Sequence, residues 1–445
     1  MNTENKNTRR EFVKNSALLT GGAMALPLLS KANFFSGADD TIKVALIGCG
    51  GRGTGAAMQA CLTKQNVKLV AMADAFRDRI DSCYKSLTAD DISDWSGGTG
   101  NIKARIDVPE ERKYTGFDAY KKAMAHADVV ILTTPPGFRP IHFEEAVNQG
   151  KQIFMEKPVA TDPAGIKRVL DAAEIAKQKK LNVVVGLQRH YQNSYRELYA
   201  KKNLIGDITS AQAWWNNDGV WVKPRTYNQT EMEYQMRNWY YFVWLCGDHI
   251  NEQHIHNIDV INWFKGSHPV KAQGMGGRQV RKGKDHGEIY DHHYVEFQYA
   301  DGSILNSQCR HIPGTMAKVD ELMVGTKGKI FCGEATIKDH SGKVLFSFDN
   351  KNEPNPYQTE HDELFAAIAK GEYKFANAEY GAHSTMTSIL GRMATYSGQV
   401  IEWDKAINSG INGMPKSFDW NAMPPTVPDE DGRYPIPTPG KTKYF

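Results

Sequence analysis

Residues 42–74 read IKVALIGCGGRGTGAAMQACLTKQNVKLVAMAD. Ile42–Ile47 is a short apolar run with β-branched residues, long enough for one buried strand. Gly48-Cys-Gly50-Gly-Arg-Gly53 follows at once, and a helical pattern begins near Thr54. Lys68–Ala73 reads as a second strand that ends at Asp74. The order is therefore strand, G-x-G-x-x-G turn, helix, strand, acid. Each part has a physical role in holding a dinucleotide. Gly48 permits the tight turn, Gly50 lets backbone approach a pyrophosphate, and Gly53 lets helix and strand pack closely. The helix N-terminus offers free N–H groups and the positive end of a dipole. Asp74 is placed to accept hydrogen bonds from a ribose 2′-OH and would repel a 2′-phosphate, which favours NAD over NADP. A plain glycine turn is the alternative reading of the motif taken alone. The two strands and the acid in register weigh against it.

Outward from this stretch, the chain has 445 residues, enough for two or three domains with cores of their own. A net charge of +3 with 24% charged residues points to neither nucleic acid nor an anionic membrane. The six cysteines (Cys49, Cys61, Cys83, Cys246, Cys309, Cys332) show no C-x-x-C spacing and read as small buried hydrophobes. At the N-terminus, Thr8-Arg-Arg-Glu-Phe-Val-Lys14 precedes an apolar run from Ala17 to Leu29, and Ser30-Lys-Ala32 is a small-x-small cleavage site. The run is too short to span a bilayer. It reads as a signal peptide whose paired arginines resemble the twin-arginine export signal, with a disordered basic leader as the alternative. That route carries folded proteins to the periplasm, which suits a chain that must take up a cofactor first.

Further along, helical patterns cover Phe76–Leu87, Phe117–Ala125 and His142–Asn148. Short apolar runs at Asp128–Thr133, Lys151–Met155 and Asn182–Gly186 read as buried strands. Residues 89–113 are polar and read as a surface insertion. Asp162 or Thr161 caps a helix with Pro163 in its first turn. Alternating strands and helices imply a parallel, doubly wound sheet with ligands at the C-terminal strand ends, where Gly48, Asp74, Thr134, Glu156 and Gln188 all lie. From Pro269 the pattern turns to β, implying a mostly antiparallel sheet with one open face. Asp291-His-His293 sits in a strand, where side chains alternate faces and do not converge. Proline-rich residues 410–445 read as an extended tail.

The Gly48–Gly53 fingerprint, Thr134-Pro-Pro-x-x-x-Pro-x-His142 and Glu156-Lys157-Pro158, at these intervals, resemble the glucose–fructose oxidoreductase / inositol dehydrogenase / MocA family over about residues 41–400. The resemblance implies an α/β N-terminal Rossmann domain (41–188) and an α+β C-terminal domain with an open, mostly antiparallel sheet (189–409), which in relatives often forms oligomers. It also implies NAD as cofactor. Expected cofactor positions are Gly48, Gly50, Arg52, Gly53, Asp74, Thr134, Pro135, His142, Glu156 and Gln188, with Glu156 at the nicotinamide ribose. Lys157 is implied in proton transfer, and general chemistry agrees, because a partly buried lysine beside a cofactor cation has its charged form disfavoured. A surface lysine before a proline is the bland alternative.

Family members commonly carry an acid four residues before a histidine, followed by an acid. Glu252, His256 and Asp259 match, with glutamate in place of the usual aspartate. His256 is thus the second expected proton-transfer group, against the alternative of a core histidine. Glu252 is expected one helical turn away, tuning it or reaching substrate. His249, Glu252, His254 and His256 also suggest a metal cluster, but on one helix they splay over several faces and alcohol oxidation needs no metal, so none is expected. Arg189, Trp221, Arg237, His254 and Tyr380 are the expected substrate contacts. The polar, aromatic loop 216–238 is read as a wall of a sugar site or, alternatively, as a structured surface loop. The expected activity is NAD-dependent oxidation of a secondary hydroxyl of a sugar or glycoside with a retained cofactor. The alternative is an NAD-dependent glycosidase working by oxidation, elimination, water addition and reduction. A non-catalytic sugar-binding protein is a third reading, which intact Lys157 and His256 weigh against.

Overall fold

In the computed structural model, residues 40–93 and 98–444 are described. The expected leader and the centre of the polar insertion, residues 94–97, lie outside them. The first sheet comprises β1 (Ile42–Ile47), β2 (Val67–Asp74), β3 (Lys113–Thr115), β4 (Val129–Leu132), β5 (Gln152–Met155) and β6 (Val183–Val185). Its order is β3-β2-β1-β4-β5-β6, and every pairing is parallel. Helices α1 (Gly51–Leu62), α2 (Arg77–Leu87), α3 (Ala119–Met124), α4 (Arg139–Asn148) and α5 (Pro163–Gln178) connect the strands. Helices cover both faces, so the strands read as unbroken apolar runs: Val129–Leu132 and Val183–Val185 are wholly buried. Pro163 opens α5, and the Asp162 carboxylate accepts from the Gly165 N–H at 2.7 Å as its N-cap. The strand order reverses between β1 and β4, which opens a crevice above their C-terminal ends.

Residues 89–113 are more than a surface insertion. Ile92, Ile102 and Val108 are buried, and the segment leads into edge strand β3. After α6 (Asn193–Ala200) the second sheet begins with β7 (Ile208–Asn217). The loop expected at 216–238 contains α7 (Glu231–Arg237), capped by the Thr230 hydroxyl, which accepts from the Glu233 N–H at 3.2 Å. After Trp239 come α8 (Val243–Cys246), α9 (His249–Glu252) and α10 (Ile255–Lys265), so the single helix expected to carry Glu252 and His256 is broken. Gly247 at φ 78° ends α8, and Asp248 at φ 71° follows. Asp248 holds this left-handed backbone through its carboxylate, which accepts from the Tyr290 N–H at 2.9 Å and the Tyr396 hydroxyl at 2.5 Å.

The remaining strands are β8 (Lys271–Gly277), β9 (His292–Gln298), β10 (Ile304–His311), β11 (Lys318–Gly325), β12 (Gly328–Phe331), β13 (Thr336–Asp339) and β14 (Val344–Ser347). After α11 (Pro356–Ala369) and α12 (Ala378–Ser397), β15 (Ile401–Glu402) closes the nine-stranded order β14-β13-β12-β11-β7-β10-β9-β8-β15. Only β7 and β10 pair in parallel. The inner face carries Ala211, Leu305, Phe297 and Ala272, and α10 and α12 pack against this sheet. The outer face carries Gln212, Asn306, Glu296 and Gln273. Both sheets belong to one compact unit. The tail after Ile407 contains neither helix nor strand among its described residues, and it is pinned rather than loose. The Gly413 N–H donates to Asp162 at 2.8 Å and the Gly440 N–H to the Ser397 carbonyl at 2.8 Å. No described helix is long and apolar enough to cross a membrane.

Candidate active site

A cavity of about 510 Å³ lies above β1, β2 and β4. Its floor is the glycine turn. A Cβ on Gly48 (φ +99°) would stand 2.6 Å from the Thr134 nitrogen, and one on Gly53 2.0 Å from the Gly48 carbonyl oxygen. These two glycines let α1 and the β4 loop close on the turn. Around Gly50 a Cβ would meet nothing within 4 Å, so the backbone there faces open space. No side chain caps the first turn of α1. The floor is thus a cradle with N–H donors free for a pyrophosphate.

Asp74 stands at the rim. Its Oδ2 accepts from the Cys49 N–H at 2.7 Å and its Oδ1 from the Phe76 N–H at 3.0 Å. Burial pushes this carboxyl up, and the two N–H groups oppose the shift. A carboxylate has about four acceptor sites, so sites remain for the two hydroxyls of a ribose. Gly48, Gly50, Arg52, Thr134, Pro135 and His142 also line the cavity. His142 Nδ1 lies 3.2 Å from the Thr134 hydroxyl, and burial, with Arg139 and Arg168 nearby, brings its pKa down to about 3. The residues present fit a bound dinucleotide.

Deeper in the crevice Arg52 donates to Glu156 at 2.5 Å and to Glu360 at 3.3 Å. The second Glu156 oxygen accepts from the Lys157 N–H at 3.2 Å. The Lys157 ammonium donates to the Glu252 carbonyl at 2.5 Å and to its carboxylate at 3.1 Å. Gln188 leaves its Oε1 buried without a partner among the described residues. His256 stacks on Trp215 at 5.8 Å, and its Nδ1 also has none. Burial drives the His256 pKa well below its ordinary value, with Lys157, Arg189 and Arg52 adding repulsion, so its imidazole is neutral at neutral pH.

Several expectations need correction. Glu252 and His256 do not share a helix, because the chain breaks between α9 and α10. Glu252 bonds Lys157 instead. His254 is fully buried, 2.7 Å from the Ser307 hydroxyl, and faces the sheet rather than a cavity. Trp221 and Arg237 line the dinucleotide cavity, not the Lys157 region. Arg189 is buried in an ion pair with Glu321, and Tyr380 stacks on His190 at 4.5 Å. Asp259 bonds His190 at 2.8 Å. The four residues read as a candidate metal cluster go four ways: His249 to Asp248, Glu252 to Lys157, His254 to Ser307 and His256 to Trp215. A different group, Asp248, His249 and His293, brings ligand atoms within 4.8 Å of one another. Asp248 there already accepts from the His249 and Tyr290 N–H groups and from Tyr396.

Sequence reasoning missed Arg139. It is buried and donates to the Leu132 carbonyl and, at 2.7 Å, to the Thr134 carbonyl, fixing the loop that carries Thr134. Nothing in a sequence distinguishes such an arginine from a solvated one.

The parallel sheet, its switch point and the glycine cradle define a dinucleotide-binding α/β unit. Residues 42–187 match the model of an oxidoreductase family with an NAD-binding Rossmann fold. Inositol 2-dehydrogenase of Acidiphilium cryptum is 30% identical over 200 residues, 45% of this chain and 52% of that protein. The enzyme of the same name from Gluconacetobacter diazotrophicus is 29% identical over 173 residues, 38% and 45% respectively. The chain thus spans about half the length of these relatives. Among solved structures, scyllo-inositol dehydrogenase of Lactobacillus casei with bound NAD(H) and scyllo-inositol superposes with a TM-score of 0.60 at 19% identity, covering 82% of this chain and 100% of that one. Levoglucosan dehydrogenase with NADH and levoglucosan gives 0.60 at 14%, covering 82% and 99%.

Proposed function

We propose that the protein is an NAD-dependent oxidoreductase acting on a secondary hydroxyl of a sugar or glycoside. The observation that carries this reading is Lys157, clamped by Glu252 at the C-terminal end of β5, beside the Arg52–Glu156 pair and the dinucleotide cradle. NAD, when bound, accepts the hydride. This chain's residues do the rest. The cradle and Asp74 orient the cofactor, and Glu156, held by Arg52, is the group the family resemblance assigns to the nicotinamide ribose. The neutral His256 imidazole, or Lys157 Nζ once it has given up a proton and stands as the free amine, takes the hydroxyl proton as the carbinol hydrogen leaves as hydride, so that ketone, reduced cofactor and protonated base balance. The dehydrogenases of inositol and levoglucosan among the similar proteins support a polyhydroxylated substrate.

The leader at residues 8–32 supports export to the periplasm by the twin-arginine route, and the open outer sheet face supports a homo-oligomer. Outside the cytoplasm free NAD is scarce, so the cofactor stays bound and is re-oxidised in place. Two proton-transfer groups, Lys157 and His256, also supply what the glycosidase route needs: one base for the hydroxyl and one for the acidified C–H beside the ketone. The test is mass spectrometry of nucleotide released on denaturation, with product analysis on a panel of glycosides. Bound NAD and a keto-sugar are expected. Net glycoside cleavage transfers the protein to the second route, and absence of NAD removes both.

A further inference from the structure

The dinucleotide cavity has one wall that the doubly wound unit does not supply. Trp221, Lys223, Met236, Arg237 and Trp239 line it, and all lie beyond the matched segment 42–187. Its own side of the molecule holds this wall through Tyr234 to Asp285 and Gln235 to the Thr426 carbonyl, and Arg237 ties it across the cavity to the doubly wound unit. Arg237, the last residue of α7, sends a two-pronged bond to Asp78 in the first turn of α2, with both N···O distances 3.2 Å. Its guanidinium carbon sits 4.0 Å over the Phe76 ring. Phe76 also packs on Trp420 of the tail at 5.1 Å, and Trp420 on Phe117 at 4.7 Å. Phe76 and Phe117 face the cavity themselves. Phe76 and Asp78 come two and four residues after Asp74, so the fastening lies at the end of the cavity where a ribose and its base would sit.

We infer that the wall from Trp221 to Trp239 is a clasp over the bound dinucleotide, latched by Arg237 on Asp78 and Phe76, and that NAD leaves only when this latch opens. The inference rests on the dinucleotide reading of the cavity and not on the chemistry at Lys157. An exposed ion pair alone contributes little, on the order of a few-fold in an equilibrium. Here the pair is bidentate, and the same guanidinium stacks on an aromatic ring, so losing arginine costs more than losing its acid partner. Because the latch breaks on the way out and forms after entry, its loss should appear in the release rate.

Trp221, Trp239 and Trp420 border or brace the cavity and supply the signal. The purified full chain is loaded with NADH, tryptophan-to-NADH energy transfer is recorded, and its decay is followed after mixing with excess NAD. Asp78→Asn should release NADH about 3-fold faster, and Arg237→Met about tenfold faster or more. The double variant should be no faster than Arg237→Met, because the two residues act as one device. Arg237→Lys, which keeps the charge but not the fork, should fall between. Asp78 lies on the surface with 59% of its side chain exposed, so Asp78→Asn leaves the fold intact. Unchanged release in both single variants overturns the clasp and leaves the proposed function standing. A wild-type protein that takes up no NADH overturns both.

Discussion

At the scale of single residues, the arrangement at Lys157 differs from what spacing alone suggests. Glu252 serves the lysine and leaves His256 unpaired, so the lysine has a fixed position set by two oxygens of one residue. Lys157→Met should therefore keep NAD content and lose about two to four orders of magnitude in rate, the scale of a general acid/base. Near-normal turnover in a variant that still co-purifies with NAD would remove Lys157 from the mechanism. The buried histidines make a second prediction. Burial, with His249 and Arg189 nearby, brings the His254 pKa down to about 3, below its unfolded value of about 6.5. Between these values the unfolded chain binds a proton that the folded chain does not. Stability is therefore complete above about pH 6.5 and falls as the pH drops, by about 1.4 kcal/mol per pH unit for each such group. His254→Gln removes one titrating group and should flatten the decline by up to about that amount. Denaturant unfolding at pH 7, 6 and 5 checks this, and an equal slope in both proteins would show that His254 does not titrate on unfolding.

Elements were legible where one force dominated. Ile42–Ile47 appears as a strand with the bounds its apolar run suggests, and Asp162 caps α5, because buried parallel strands and N-caps leave local marks. The stretch after Trp239 was not legible. Spacing places Glu252 and His256 on one helix, but just before them Gly247 and Asp248 adopt left-handed backbone, and the bonds that hold Asp248 there come from Tyr290 and Tyr396, some 40 and 150 residues away. The helix α7 was hidden likewise, since its side chains find their partners far along the chain, at Asp78, Asp285, Thr426 and Tyr434. A second break, between Glu252 and Ile255, separates Glu252 from His256, and Glu252 turns to Lys157. Gly247→Ala tests the first break. A Cβ there would meet Asn251 Nδ2 at 2.2 Å in a backbone with φ of 78°. The substitution should cost about 1–3 kcal/mol, read as a lower denaturation midpoint. Activity should also fall beyond the loss of fold, since this turn sets α9, whose last residue Glu252 holds Lys157. A variant as stable and active as the parent would show that this turn is not under strain.

At the scale of the whole molecule, the nine-stranded sheet is finished on one face only. α10 and α12 cover the inner face, while the outer face runs in rows across the strands: Met275, Tyr294, Gln308 and Trp214, then Gln273, Glu296, Asn306 and Gln212. An antiparallel sheet can leave such a face to water, and its polar residues are compatible with that. They are equally compatible with an interface, because contacts between folded subunits are about as apolar overall as the rest of a protein surface and carry an apolar centre within a polar rim. Met275 is 70% exposed, which is more than solvation alone explains for a large thioether on a strand. Strand breadth leaves room for an interface. Nine strands spaced about 4.8 Å apart give a flat span of about 40 Å, ample for the roughly 800 Å² per partner that a stable pair buries. The proposed homo-oligomer should therefore appear in light scattering as a mass at least twice that of one chain. Met275→Glu combined with Gln212→Glu places new acids beside the existing Glu296 on a face that would meet its own copy, so like charges oppose each other across the contact. That double variant should shift to single chains while keeping its bound NAD, since the cradle lies on the other sheet. A wild-type protein that scatters as one chain at micromolar concentration removes the assembly, and a double variant that stays associated moves the contact to another face.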